Sequence, residues 1–223
     1  MGESVLGSSE LNLESKIMAA VDKANRYIKS VDSVREEVVK LTRDVIRYSG
    51  WSITFLHQGD VAKAKENLDH CESLARKVIE YASQKPELAY SGLIYNAISE
   101  YVEAKLFYSI VVESKIYDFE ELGVHPVPYL QGLGDVVGEL RRYALERIRQ
   151  GDVKSAWRAL SIMEAIYTSM RSLDYPDSVL PGVRHKVDVA RGLIDDTKSM
   201  LVDIQSREDL KKVLEERYKG AKA

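Results

Sequence analysis

The sequence contains a single cysteine, Cys71, and only five prolines and thirteen glycines among its 223 residues. One cysteine excludes an intramolecular disulfide and a cysteine-based zinc site, and it fits a reduced, cytoplasmic setting. Few helix breakers, together with many Ala, Leu, Glu, Lys and Arg residues, favour long helices. The scarcity of these three residue types therefore predicts an all-α protein that does not depend on disulfides.

The chain also lacks long apolar runs and an excess of positive charge. No stretch approaches the roughly 20 apolar residues that a membrane span requires, and the N-terminus lacks the apolar run of a signal peptide. The net charge is −3, so nucleic-acid binding requires a local basic surface. With 45% hydrophobic and 30% charged residues, the composition predicts a folded core and no membrane segment.

Apolar residues recur at three- and four-residue spacing along most of the chain, and no run of alternating residues requires a strand. This spacing predicts one bundle of about six to seven mostly long, antiparallel helices. Residues 1–9 are small and polar and are predicted to form a flexible tail, so the single helical domain covers residues 10–223. The stretch from about Leu88 to Ile116 is apolar on nearly every side, which is typical of a buried central helix.

Glycine and capping residues predict where several of the helices begin and end. Gly59 is predicted to end the first long helical stretch. Asp32 or Ser33, within this stretch, either caps a second helix or lies inside one long helix. The last long helix is predicted over 182–204. Ser206 is then expected to cap a short final helix.

The same signals predict the bounds of the helices in between. Asp60 is expected to cap a helix over about 61–83. Another helix is predicted over about 129–150 and ends at Gly151. Asp152 is then expected to cap a helix that reaches Met170.

Two of the helices carry acidic residues within apolar sequence. Glu100 and Glu103 are three residues apart on the most apolar helix, so they share one face. Asp135 and Glu139 are four residues apart on the next long helix and also share a face. Because a buried carboxylate is costly unless it is paired or binds a metal, the two pairs outline a metal site within a helix bundle. Oxygen ligands favour magnesium, with manganese as the alternative.

Ordinary surface chemistry also explains these charges. Arg141 or Arg142 is close enough in sequence to pair with the acids, which are then a solvated helix face. Lys40, Arg43 and Arg47 lie on one face of the first long helix, where they suit a phosphate backbone. Such a row of basic residues is equally common on a solvent-exposed helix face. The residues alone therefore leave open whether they bind nucleic acid or are ordinary surface charges.

Four stretches of the sequence resemble the translin family, and in particular its Trax-like members. The acidic motifs are EYVEA at 100–104 and PVPYLQGLGDVVGEL at 126–140, followed by Arg142. LTRDV at 41–45 resembles the family's first helix, and KVDVAR at 186–191 resembles its last long helix. The similarity extends from about residue 34 to about residue 204, which is most of the chain.

The resemblance implies an activity and a set of residues that perform it. Trax-like subunits are magnesium-dependent endoribonucleases that act on single-stranded RNA, whereas translin subunits lack the acids and mainly bind RNA or DNA. The acids that match the catalytic and metal-binding set are Glu100, Glu103 and Asp135, with Glu139 as a further acid of the same motif. The contacts predicted for nucleic acid are Lys40, Arg43, Arg47 and Arg142.

The resemblance also implies an all-α fold that assembles into closed, hollow octamers. Only a short link, residues 118–123, joins the two acidic helices here, where animal Trax proteins have a long polar insertion. We therefore expect a compact form that assembles with itself, and a translin-type partner is the alternative. Two rival functions are a non-catalytic module that binds single-stranded RNA or DNA, and a helical scaffold without nucleic acid.

Overall fold

The computed structural model describes the backbone of residues 4–84 and 92–220 and the side chains of residues 13–84 and 92–217. Within these ranges it contains α-helices and no strand, so the prediction of an all-α fold is confirmed. The helices are α1 (Ser4–His57), α2 (Val61–Gln84), α3 (Gly92–Tyr108), α4 (Phe119–Leu122), α5 (Pro126–Arg149), α6 (Val153–Met170) and α7 (Val183–Gly220). A π-helical turn, Ser109–Glu113, continues α3 directly.

The helices pack around α3. The C-terminal half of α1 lies along α2, and α3 contacts α1, α2 and α5. On the other side of α5, helices α6 and α7 pack against it and against each other. Val102, Leu106 and Phe107 of α3 are fully buried, which confirms the prediction of a buried central helix. The predicted start of that helix at Leu88 lies outside the described residues.

Two helix boundaries follow the predicted glycine and aspartate signals. Gly59 and Gly151 both adopt positive φ angles, +80° and +81°, which a residue with a side chain rarely adopts. Asp60 then accepts a hydrogen bond from the Lys63 amide, and Asp152 caps α6 through the Ser155 amide. These caps satisfy amide groups that the first turn of a helix leaves without partners.

Helix α1 is longer than the sequence indicates. It runs without a break through Asp32 and Ser33, so neither residue caps a second helix. Its first residue is Ser4, and residues 4–9, predicted to be a flexible tail, are therefore helical. No proline occurs in this stretch, and extending an existing helix adds a hydrogen bond for each residue fixed. This propagation outweighs the weak propensity of the small polar residues at the start.

Helix α7 is also longer than predicted. It continues to Gly220 instead of stopping near residue 204. The Ser206 hydroxyl donates a hydrogen bond to the Val202 carbonyl one turn earlier, so this side chain lies inside a helix and does not cap a new one. A serine that bonds back to the preceding turn is compatible with a helix interior.

Both long terminal helices extend beyond the core. Every described side chain from residue 13 to residue 30 of α1 is exposed, as is every one from residue 206 to residue 217 of α7. At 1.5 Å per residue, the 54 residues of α1 span about 81 Å. In the part of the chain that the structure describes, no helix is long and apolar enough to cross a membrane.

Candidate functional site

The two acidic helices approach each other closely because of a glycine. A Cβ atom at Gly132 of α5 would lie 2.5 Å from the Ser99 carbonyl oxygen and 2.8 Å from the Val102 Cβ of α3. Only a residue without a side chain fits this contact. Ser99 and Val102 are the sequence neighbours of Glu100 and Glu103, so the contact holds the acids of α3 beside those of α5.

The acids of α3 interact electrostatically with the acids of α5. Burial, and then the negative charges of Asp135, Glu100 and Glu139, raise the pKa of Glu103 to about 9. The pKa of Glu100 is also raised, first by burial and then by the charge of Asp135. The structure therefore brings all four predicted acids into one electrostatic cluster at the interface of α3 and α5. We call these four residues the carboxylate cluster.

Asp135 has a cationic partner that the sequence interpretation did not identify. The Lys186 Nζ of α7 donates hydrogen bonds to both carboxylate oxygens of Asp135, at 2.5 and 2.6 Å. Lys186 lies in the KVDVAR stretch that resembles the family, but 51 residues separate the two side chains. Helical spacing relates only residues within a few turns of each other. The resemblance of this stretch to the family was therefore the only sequence feature that drew attention to Lys186.

Glu139 contacts a histidine of α1. The His57 Nε2 lies 2.5 Å from the Glu139 Oε2, and the Arg142 guanidinium lies 4.0 Å from the same oxygen. The His57 side chain is 6% exposed, and its Nδ1 is buried without a hydrogen-bond partner among the described residues. The ring also packs 5.0 Å from the ring of Phe107. The expected pairing of Glu139 with Arg142 is thus a long contact, and the closer partner is His57.

The donor atoms of the carboxylate cluster suit a hard divalent cation. All four side chains offer oxygen, which magnesium and manganese prefer. Among the described residues, however, no three His, Cys, Asp or Glu side chains are arranged as a ready metal site. The donor set therefore fits magnesium in type. An ion that uses Asp135 or Glu139 as a ligand would have to break or share their contacts with Lys186 and His57.

The basic residues of α1 lie on its surface and pair within the helix. Lys40 forms an ion pair with Glu37 at 3.2 Å, and Arg47 forms one with Asp44 at 2.9 Å. Arg43 is also exposed. These partners are neighbours in sequence, whereas Arg142 is the predicted nucleic-acid contact that lies beside the carboxylate cluster.

Aromatic side chains surround Arg47, which the sequence interpretation did not anticipate. The Arg47 guanidinium lies 5.3 Å from the ring centroids of both Tyr48 and Trp51. A tryptophan in a helical apolar pattern suggests a packing residue, yet Trp51 is 45% exposed. Tyr48 is partly buried against the core, so the exposed ring beside the Arg47 cation is that of Trp51, and such a pair suits a stacked base and a phosphate.

Comparison with known proteins agrees with this architecture. The sequence profile of the Translin family matches residues 33–205. An uncharacterized protein of Methanocaldococcus jannaschii is 31% identical over 88% of this chain and 91% of its own length. Translin-associated protein X of Pongo abelii is 21% identical over 71% of this chain and 68% of its own length.

Solved structures with a similar fold are also found. AfC3PO in complex with duplex RNA superposes with a TM-score of 0.78 and 35% identity, covering 84% of this chain and 97% of that one. AfC3PO crystallised by itself matches with the same TM-score and identity. The Trax-like acidic motifs, the helical fold and these relatives lead to one conclusion. The chain belongs to the translin family.

Proposed function

We propose that this protein is a magnesium-dependent endoribonuclease that cleaves single-stranded RNA inside a hollow oligomer. The observation that carries the proposal is the carboxylate cluster at the apolar interface of α3 and α5. Burial and mutual repulsion raise the pKa of Glu103 to about 9, which is a cost to the folded protein. A cation that neutralises the cluster removes this cost, and carboxylates gathered in this way are typical of functional sites.

The residues of the chain have distinct roles under this proposal. Glu100, Glu103 and Asp135 hold the ion, and Glu139 completes or supports its shell. Bound magnesium supplies charge neutralisation and a polarised water for phosphodiester hydrolysis, and manganese is the alternative ion. Arg142, beside Glu139, binds the RNA backbone as it enters the site.

The remaining predicted contacts lie farther along α1. Lys40, Arg43 and Arg47 form an exposed basic surface for the nucleic-acid backbone, and Trp51 beside Arg47 offers a ring for base stacking. These contacts are independent of sequence, so single-stranded DNA is a second ligand of the same surface. The protein is proposed to act in the cytoplasm as a homo-octamer, with a translin-type partner as the alternative assembly.

The relatives support RNA as the polymer. The AfC3PO structure named above contains duplex RNA, and that chain is 35% identical to this one. A direct comparison of strand forms is therefore part of the test. Cleavage of an unpaired strand that exceeds cleavage of the same strand in a duplex is the result expected here.

The experiment is cleavage of a labelled single-stranded RNA by the purified protein, with magnesium or with EDTA. Glu103→Gln keeps the shape of the side chain but removes the carboxyl group that can ionise and bind the metal. It is expected to lower the rate by roughly a hundredfold or more, because a metal-binding group is lost. Glu164→Gln is the matched control, since Glu164 is an exposed acid that pairs with Lys198 on the surface. Its rate is expected to equal that of the unmodified protein.

A second function is tested by the same samples. The chain also suits a non-catalytic module that binds single-stranded RNA or DNA, because Lys186 and His57 already pair with two of the acids. Binding without magnesium-dependent cleavage, equal in the Glu103→Gln and Glu164→Gln variants, would identify the protein as such a module. Absence of binding even at low salt, where phosphate contacts are strongest, would indicate a helical scaffold.

A further inference from the structure

Lys186 crosses from α7 to the carboxylate cluster and binds the acid that a metal ion would need. Its Nζ donates to both oxygens of Asp135, so neither oxygen is free of the ammonium group. The two side chains are 26% and 33% exposed, so water screens this pair less than it screens an ion pair on the open surface. The positive charge of Lys186 also lowers the pKa of Glu103 against the stronger effects of burial and the other acids.

A glycine of α5 makes room for this lysine. A Cβ atom at Gly134 would lie 3.0 Å from the Lys186 Cβ and 3.1 Å from its Cδ. The methylene stem of Lys186 therefore lies directly on the backbone of α5, one residue before Asp135. Because glycine weakens a helix interior relative to alanine, helix propensity does not explain this residue, whereas contact with the lysine stem does.

Beside the ion pair there is space for the ammonium group to move. A cavity of about 260 Å³ between α5 and α7 is lined by Gly134, Asp135, Lys186, the imidazole-bearing His185 and hydrophobic residues of α7. Gly138 opens on the same cavity, and a Cβ atom at this position would meet nothing within 4 Å. The lysine side chain is a flexible four-carbon stem, so rotation into this cavity moves its charge away from Asp135 while the stem stays on Gly134.

A divalent cation and Lys186 compete for the same carboxylate. Two like charges a few ångströms apart repel each other strongly at the dielectric constant of a protein surface. An ion that uses Asp135 as a ligand must therefore displace the ammonium group or bind more weakly beside it. The ion pair with Lys186 thus sets the threshold for metal binding.

We propose that Lys186 is an internal counter-ion of the carboxylate cluster, which a divalent cation displaces from Asp135 into the neighbouring cavity. The inference rests on the proposed function, because it takes the cluster as a metal site. Lys186 is a positioning residue here: it holds Asp135 in place without metal and limits the affinity of the site. A purely structural ion pair between α5 and α7 would have no such effect on metal affinity.

The test is Mn²⁺ affinity of the full chain at neutral pH and constant ionic strength, with free Mn²⁺ counted by its electron paramagnetic resonance signal. Lys186→Met keeps the stem and removes the charge, and we expect it to tighten Mn²⁺ binding about tenfold, since the repulsion is lost. Lys186→Arg keeps a cation that can bind Asp135, and its affinity is expected to stay within about twofold of the unmodified protein. Lys198→Met removes a surface lysine of the same helix, paired with Glu164, and is expected to leave the affinity unchanged.

The outcomes separate this inference from the proposed function. Equal or weaker Mn²⁺ binding by Lys186→Met, in a variant whose circular dichroism matches the unmodified protein, overturns the counter-ion role. The metal site itself survives that result if Glu103→Gln abolishes the binding seen in the unmodified chain. If neither the unmodified chain nor Lys186→Met binds Mn²⁺, both the metal site and the counter-ion are excluded. Binding that appears only in Lys186→Met supports the counter-ion most strongly.

Discussion

Glu103 is an acidic side chain in a helix most of whose residues are buried in the protein core. Burial and the charges of Asp135, Glu100 and Glu139 raise its pKa to about 9, from an ordinary value of 4.5. The folded chain therefore retains the Glu103 proton over a pH range in which the unfolded chain has lost it. Folded-state stability decreases with rising pH wherever the native state holds more protons than the unfolded state.

This difference predicts how Glu103→Gln affects stability. Below about pH 4.5 the carboxyl group is protonated in both states, so the substitution has little effect there. Between about pH 4.5 and 9 the unmodified protein progressively loses stability that the glutamine variant keeps, and above pH 9 the difference levels off. Thermal unfolding in EDTA should thus give a larger gain in Tm for the variant at about pH 9 than at about pH 5.

Exposed acids provide the control for this measurement. Glu164 lies on the surface next to Lys198, so Glu164→Gln should shift the Tm by a similar small amount at both pH values. A Tm difference for Glu103→Gln that does not change between the two pH values would show that Glu103 titrates normally. The electrostatic description of the carboxylate cluster would then be incorrect.

At the scale of secondary-structure elements, the site depends on the close approach of α3 and α5. Gly132 permits this approach, since a Cβ atom there would overlap the Ser99 carbonyl and the Val102 side chain. Both obstacles belong to the buried central helix, where neighbouring atoms have little room to move. The helices must separate if any side chain is introduced at this position.

Gly132→Ala is expected to lower the free energy of unfolding by about 3 kcal/mol, as overpacking of a core does. Urea denaturation followed by circular dichroism measures this change. Gly192→Ala is the matched control, because Gly192 lies in α7 and a Cβ atom there would meet nothing within 4 Å; it should raise stability by up to about 1 kcal/mol through helix propensity. Equal effects of the two alanines would refute a close contact between α3 and α5.

At the scale of the whole molecule, the ends of α1 and α7 extend past the bundle. Leu13, Ile17, Val21 and Ile28 of α1 are each more than half exposed. They continue the three- and four-residue spacing of the apolar residues that pack α1 on α2. The Translin family profile begins at residue 33, so it does not include this extension.

The proposed octamer predicts a mass in solution. Eight chains of 25.2 kDa give about 202 kDa, which light scattering coupled to size-exclusion chromatography can measure. A variant without residues 1–30 should keep the helical bundle and eight copies, because the buried part of α1 begins after this point. A smaller assembly for the shortened chain would assign the extension to the interface between copies, and a monomer for the full chain would exclude the octamer.

The sequence by itself determined the class of fold, most helix boundaries and the identity of the acids. Helical spacing, glycine stops and aspartate caps are local signals, so α2, α5 and α6 agree with their predicted ranges to within a few residues. The acids of the carboxylate cluster were recognisable because they interrupt apolar helices. The ends of α1 and α7 were missed, since weak local signals such as Asp32 and Ser206 do not stop a helix that is already propagating.

Only the tertiary structure decided which side chains meet the acids. His57 reaches Glu139 across 82 residues of sequence, and Lys186 reaches Asp135 across 51. Pairing at these distances depends on how helices pack and on where Gly132 and Gly134 remove a side chain, and neither follows from the period of one helix. The sequence therefore pointed to the acids that cluster between α3 and α5, and the packing of α1, α5 and α7 determined their partners.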